Sequence, residues 1–276
     1  MTIDSHQHFW KYSPVRDSWI DETMRVIRKD FYPQDLKPIL DTNGIDGCIA
    51  VQADQSEEET EFLLTLAKEN SFIKGVVGWV DLCDANVEER LAYYAQNIVF
   101  KGVRYVLQGE EDEFMLRKDF LHGISKLRQY NLTYDILVFE NQLESVLKLV
   151  AQFPRQTFVI DHIAKPKIKE REIEVWSEQM TALAKFPNVY CKISGMITEA
   201  NWKKWNYLDI KPYLEVVFSA FGIKRVLYGS DWPVCLLAGS YEAQRNVLET
   251  FISKFSIEDK ALVMGGNAVE FYNLKE

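Results

Sequence analysis

The chain has only four cysteines, Cys48, Cys83, Cys191 and Cys235, and no two of them fall at C-x-x-C spacing. A zinc knuckle and a dithiol redox motif are thereby excluded, and the four read as small buried hydrophobes in a reducing compartment. No uninterrupted apolar run approaches the roughly 18 residues of a membrane span, and no basic start leads into an apolar signal core. The expected location is therefore the cytoplasm, with no membrane partner. Positive charge is also in deficit, since 32 Lys and Arg stand against 41 Asp and Glu for a net charge of -9. Such a balance argues against a nucleic-acid backbone as a general partner and for a small-molecule substrate. Histidine is scarcer still, at four, so their positions carry information. Low-complexity tracts, linkers and short internal repeats are missing too. A length of 276 residues with 47% hydrophobic content then fits one barrel-sized domain over 1–276.

What is present is an alternation. Apolar or β-branched runs bounded by Gly, Asp and Asn occur at 3–8, 47–52, 75–80, 102–106, 132–138, 157–162, 189–194 and 225–231. Helical patterns fill most of the gaps, at 61–68, 87–95, 120–130, 142–153, 175–186 and 210–221. Ser56 with Glu59 reads as a capping box ahead of the first of these, and Asp84 introduces the second. Eight strands alternating with helices predict an α/β chain, a single (β/α)8 TIM barrel.

In such a barrel chemistry sits at the C-terminal ends of the strands. His6 and His8 close the first strand, and period-two alternation points both side chains the same way. Two imidazoles on one face can bind one metal ion or together polarise one substrate oxygen. The sixth strand ends in His162, and the eighth in Asp231, where Pro233 cannot continue the ladder as a donor. Three of the four histidines thus fall at strand ends. The fourth, His122, lies in a helical pattern and reads as structural. Beside three imidazoles, Asp231 is either a metal ligand or a general base.

Arg104 closes the fourth strand, where it either orients a polar substrate or pairs with a neighbouring carboxylate. Lys165, a few residues past the sixth strand, either lines the same mouth or is a solvated loop residue. Trp10 and Trp232 adjoin polar strand ends and are the aromatic candidates for the pocket wall. The other aromatics of the long loops, Tyr12, Trp19 and Phe31 after the first strand and Trp202, Trp205 and Tyr207 after the seventh, read as cap packing. Lys192, Ser194 and Asp135 remain candidates whose facing the sequence does not fix.

Four segments carry a resemblance: Asp4-Ser5-His6-Gln7-His8-Phe9-Trp10, Asp161-His162-Ile163-Ala164-Lys165-Pro166, Tyr228-Gly229-Ser230-Asp231-Trp232-Pro233 and Gly266-Asn267-Ala268-Val269-Glu270-Phe271-Tyr272. In this order they resemble the amidohydrolase superfamily, and more narrowly its amidohydrolase 2 branch of sugar-acid and 2-pyrone-4,6-dicarboxylate lactonases. The resemblance covers essentially the whole chain. It implies a (β/α)8 hydrolase with His6, His8, His162 and Asp231 in the active site, similar to L-fuconolactonase- and L-rhamnonolactonase-like enzymes that open sugar 1,4-lactones. The superfamily's binuclear members use a bridging lysine or glutamate on the fourth strand and two further histidines on the fifth and sixth. Here Arg104 stands on the fourth and His162 alone in the later strands, so a two-metal centre is not expected. One divalent ion, zinc by ligand type, on some of His6, His8, His162 and Asp231 is one expectation. Metal-independent catalysis, which the branch also contains, is the other. Asp231 would activate water, the histidines would polarise the ring carbonyl, and Arg104 and Lys165 would hold substrate. Two alternatives use the same residues: a mononuclear-metal decarboxylase or hydratase of an unsaturated carboxylic acid, and a noncatalytic barrel that binds a sugar acid. No motif reports on oligomeric state.

Overall fold

The computed structural model describes residues 1–275. Eight strands form one parallel sheet in sequence order, β1 (Ile3–Gln7), β2 (Gly47–Val51), β3 (Ile73–Gly78), β4 (Phe100–Val106), β5 (Thr133–Leu137), β6 (Phe158–Ile160), β7 (Val189–Ile193) and β8 (Val226–Tyr228). The ends of the sheet meet. Asp231 N donates to His6 O at 2.8 Å and His8 N to Trp232 O at 2.7 Å, so the seam that closes the barrel is built by the residues singled out at the two chain ends. The (β/α)8 barrel expected from the alternation is the observed fold.

The outer ring is α1 (Pro33–Thr42), α2 (Glu57–Glu69), α3 (Val87–Tyr94), α4 (Lys118–Leu127), α5 (Leu143–Gln152) and α6 (Glu174–Leu183), followed by the short α7 (Met196–Glu199), α8 (Tyr207–Phe221), α9 (Tyr241–Phe251), α10 (Ile257–Ala261) and α11 (Asn267–Phe271). Each long helix turns one apolar stripe to the sheet, as Leu63, Leu64 and Ala67 do on α2, which is how a helical ring covers a barrel. No helix among the described residues is long and apolar enough to cross a membrane. The four cysteines are free thiols.

Strand ends differ from expectation where the site is built. The sixth strand stops at Ile160 rather than at His162, and four residues in succession, His162, Ile163, Ala164 and Lys165, take left-handed backbone with φ of 51°, 50°, 59° and 46°. Adjacent residues on a strand face opposite ways. The left-handed turn instead aims both Asp161 and His162 at one place, at a backbone cost of about 1–2 kcal/mol per residue. Trp176 of α6 steadies it by donating from Nε1 to Ile163 O at 2.8 Å. The eighth strand likewise ends at Tyr228, and Asp231 has φ of 57°.

The capping box of α2 is also modified. Ser56 accepts from Glu59 N at 3.2 Å as expected, but the Glu59 carboxylate reaches past the cap to Ala53 N and Asp54 N. Burial raises its pKa from 4.5 to about 7. The folded state therefore holds the proton more tightly than the unfolded chain does. The stability this contributes is complete below pH 4.5 and is lost as the pH rises through 7, an effect of about 3 kcal/mol. Glu59→Gln keeps an oxygen for the two amides and cannot titrate. Urea unfolding of the two proteins should show wild type losing stability relative to the variant across that window, and a constant difference would remove Glu59 as the cause.

Candidate active site

The closed seam puts β1 beside the β8 loop, and the chemistry follows from it. His6 of β1 and His8, the first residue past its end, bring their Nε2 atoms to 3.2 Å from each other. Asp231 Oδ1 lies 3.5 Å from His8 Nε2 and 3.9 Å from both His6 Nε2 and His162 Nε2. Residues from both ends of the chain and its middle thus converge on one carboxylate, all of them 4% exposed or less.

Burial makes the three imidazoles neutral. It lowers the pKa of His6 and His162 well below the usual value, against the pull of Asp161, and lowers that of His8 against its contact with Asp231. They act as hydrogen-bonding groups and not as fixed cations. His8 Nδ1 donates to Val51 O at 2.8 Å, which leaves a lone pair on its Nε2. His162 Nδ1 is 2.9 Å from Ser194 Oγ.

A cavity of about 200 Å³ opens over this cluster, walled by His8, His162, Asp231, Arg104, Lys165 and Trp10. That is room for one hexose-sized ring. Arg104 is 3% exposed; its Nη1 donates to Asp161 Oδ2 at 3.1 Å and its Nη2 to Gln52 O. It pairs with a carboxylate and also lines the cavity. Lys165 lines the cavity as well and faces Glu199 at 3.7 Å.

Trp232 is a correction. It is 2% exposed and packs edge-on against Phe9 and Phe31 with ring centroids 6.2 and 5.1 Å away, and it is not part of the cavity wall. Its share in the site is its backbone carbonyl, which accepts from His8. Trp19, read as cap packing, is the aromatic that stands with Trp10 on the wall. His122 lies exposed on α4, so it has no core role.

Sequence reasoning missed Asp161. A continued strand would turn a neighbour of His162 away from it, whereas the left-handed turn brings Asp161 3.3 Å from His6 Nδ1. Its own burial would raise its pKa, but Lys192, His6 and Arg104 hold it well below the usual carboxylate range. Lys192 and Asp135, whose facing was open, both turn inward and pair beneath His6.

The donor set fits one divalent ion. His6, His8 and Asp231 offer atoms 3.2–3.9 Å apart, and a tetrahedral ion with bonds of about 2.0–2.2 Å separates its ligands by about 3.3–3.6 Å. His6, Asp161 and His162 form a second compact trio that shares His6.

A closed (β/α)8 barrel whose strand ends gather imidazoles and a carboxylate over a small cavity defines a class, the barrel enzymes that work with histidine and aspartate at the mouth. Within that class the family is settled by sequence. Residues 3–274 match the amidohydrolase family, and the chain belongs to it. An L-fucono-1,5-lactonase of Burkholderia multivorans is 37% identical over 100% of this chain and 97% of its own length. Another of that name from Burkholderia ambifaria is 38% identical over 99% and 95%. The crystal structure of a Burkholderia multivorans amidohydrolase with bound zinc, 37% identical and covered end to end by this chain, superposes with a TM-score of 0.97.

Proposed function

We propose that the protein hydrolyses the lactone of a six-carbon sugar acid, of the L-fuconolactone or L-rhamnonolactone type. The observation that carries this reading is Asp231 within 3.9 Å of three neutral imidazoles under a cavity with Arg104 and Lys165 on its wall. Whole-length similarity to two proteins named L-fucono-1,5-lactonase supports the substrate class. Those names also make the six-membered 1,5-ring, rather than the 1,4-ring expected from sequence, the first substrate to try.

Each group has a step. Asp231 takes a proton from water, whose oxygen bonds to the ring carbonyl carbon. The carbonyl oxygen gains negative charge, and donors of the imidazole cluster and Arg104 lower its energy where bulk water is excluded. The bond from that carbon to the ring oxygen then breaks, and Asp231 returns the proton to the departing oxygen. The product is an open hydroxy acid, whose carboxylate Arg104 and Lys165 are placed to hold. A single ion on His6, His8 and Asp231, when bound, supplies Lewis-acid polarisation of the carbonyl.

The test is acid release, followed with a pH indicator, from the 1,5- and 1,4-lactones of L-fuconic and L-rhamnonic acid, with and without a chelator. We expect turnover of at least one. Binding without acid release would leave a sugar-acid receptor. Carbon dioxide released from unsaturated dicarboxylates, with the lactones untouched, would establish the decarboxylase instead.

A further inference from the structure

We propose that Gln108 is a specificity-determining residue, which hydrogen-bonds the hydroxyl on the substrate ring atom farthest from the reacting carbonyl. Among the described residues, only two that wall the cavity carry a buried polar atom with no hydrogen-bond partner, Arg104 at Nε and Gln108 at Oε1. The guanidinium of Arg104 is already held through its other two nitrogens by Asp161 and Gln52. Gln108 is different, and its neighbours show why.

The turn that carries it (Leu107–Gly109) follows directly on β4 and is held by other glutamines. Gln55 Oε1 accepts from Val106 N at 2.7 Å. Gln142 Nε2 donates to Leu107 O at 2.9 Å and to Glu110 O at 3.2 Å, and Gln52 Nε2 donates to Arg104 O at 3.2 Å. Each of these three amides is used on backbone, as buried polar groups ordinarily are. The fourth sits on a turn that two of them pin, and its own carboxamide oxygen is left open. An acceptor shielded from water without a donor costs about 1–3 kcal/mol, and such departures collect at functional sites.

Topology sets what lies opposite. In a closed ring of eight strands in sequence order, β4 is four strands from β8 in either direction, so the turn after β4 faces the loop after β8 across the mouth. Gln108 thus stands across the cavity from Asp231. With a lactone carbonyl held at Asp231, which rests on the lactonase reading, the ring projects toward Gln108. In a 1,5-lactone the atom farthest round the ring from carbon 1 is carbon 4, and its hydroxyl is the group that Gln108 meets. The last torsion of a glutamine is soft, and a half-turn exchanges oxygen and nitrogen, so the carboxamide can accept from that hydroxyl or donate to it. L-Fuconic and L-rhamnonic acids have opposite configurations at carbon 4, which makes this contact one that tells them apart.

The test crosses two substrates with two proteins. The substrates are whichever of L-fucono- and L-rhamnono-1,5-lactone wild type opens faster, and the 4-deoxy analogue of that lactone; the proteins are wild type and Gln108→Met, a near-isosteric change that removes both ends of the amide. Wild type is expected to lose about 10–100-fold in kcat/KM on the 4-deoxy lactone, mostly in KM, because the bond is present before and during the reaction. Gln108→Met is expected to lose a similar factor on the parent lactone and less than about threefold on the analogue. It should melt no lower than wild type, which a glutamine serving the fold would not allow. Wild type that opens both lactones equally well overturns the proposal without any variant. So does a variant that matches wild type on the parent lactone, or one that loses equally on both. Wild type that opens neither 1,5-lactone also overturns it, and one that opens no lactone of either ring size overturns the lactonase reading as well.

Discussion

Asp231→Asn is expected to lower kcat by roughly a thousandfold, the scale of a lost general base, while the protein unfolds at nearly the wild-type temperature. The two halves of that expectation have separate causes. Asparagine cannot take a proton from water, so the step that begins the reaction stops. It has the same shape, and it is among the few residues at ease with left-handed backbone, which position 231 adopts with φ of 57°. The backbone bonds from Asp231 N to His6 O and from Cys235 N to Asp231 O are indifferent to the change. Steady-state kinetics beside a thermal melt checks both. A folded variant with near-normal turnover would remove Asp231 from the mechanism.

Gly195→Ala should be nearly as damaging to activity, from a residue that touches no substrate. Gly195 has φ of 64°, and a Cβ there would lie 2.7 Å from His162 Nδ1 and 3.1 Å from Asp231 Oδ2. Nitrogen and carboxylate must both give way. A displacement of about 1 Å in a catalytic constellation costs on the order of a hundredfold in rate, and the strained backbone adds a stability loss of about 1–3 kcal/mol. Gly44→Ala separates the two effects. Its φ is 63°, but a Cβ there meets nothing within 4 Å, so it should lose stability and keep its rate. Equal activity losses in the two variants would mean that strain, and not the crowding of His162 and Asp231, is responsible.

The parts of this molecule that were legible in its sequence are those governed by period. Strand and helix follow from how often apolar residues recur, and the eight strands appear in order around the barrel. His6 and His8 were legible together because period two puts them on one face. Their meeting with His162 and Asp231 followed from the rule that strand ends share one mouth. Departures from period were not legible. Asp161 follows Ile160 as though the strand continued, and nothing in the residue names announces four left-handed residues in a row. Lys192 and Asp135 could have been found by a different signal, a lysine and an aspartate in strands otherwise apolar, which inside a barrel must pair. Trp232 misled for the opposite reason. Adjacency to Asp231 suggested the cavity, but a bulky apolar ring follows the nearest apolar surface, here Phe9 and Phe31.

The most direct check of the central claim is hydrolysis of L-fucono-1,5-lactone in ¹⁸O-enriched water, with the product analysed by mass spectrometry. Water activated by Asp231 and bonded to the carbonyl carbon places one heavy oxygen in the carboxylate of the product and none in its hydroxyls. Label on the hydroxyl carbon, or a carboxylate that stays unlabelled while the ring opens, would contradict the account.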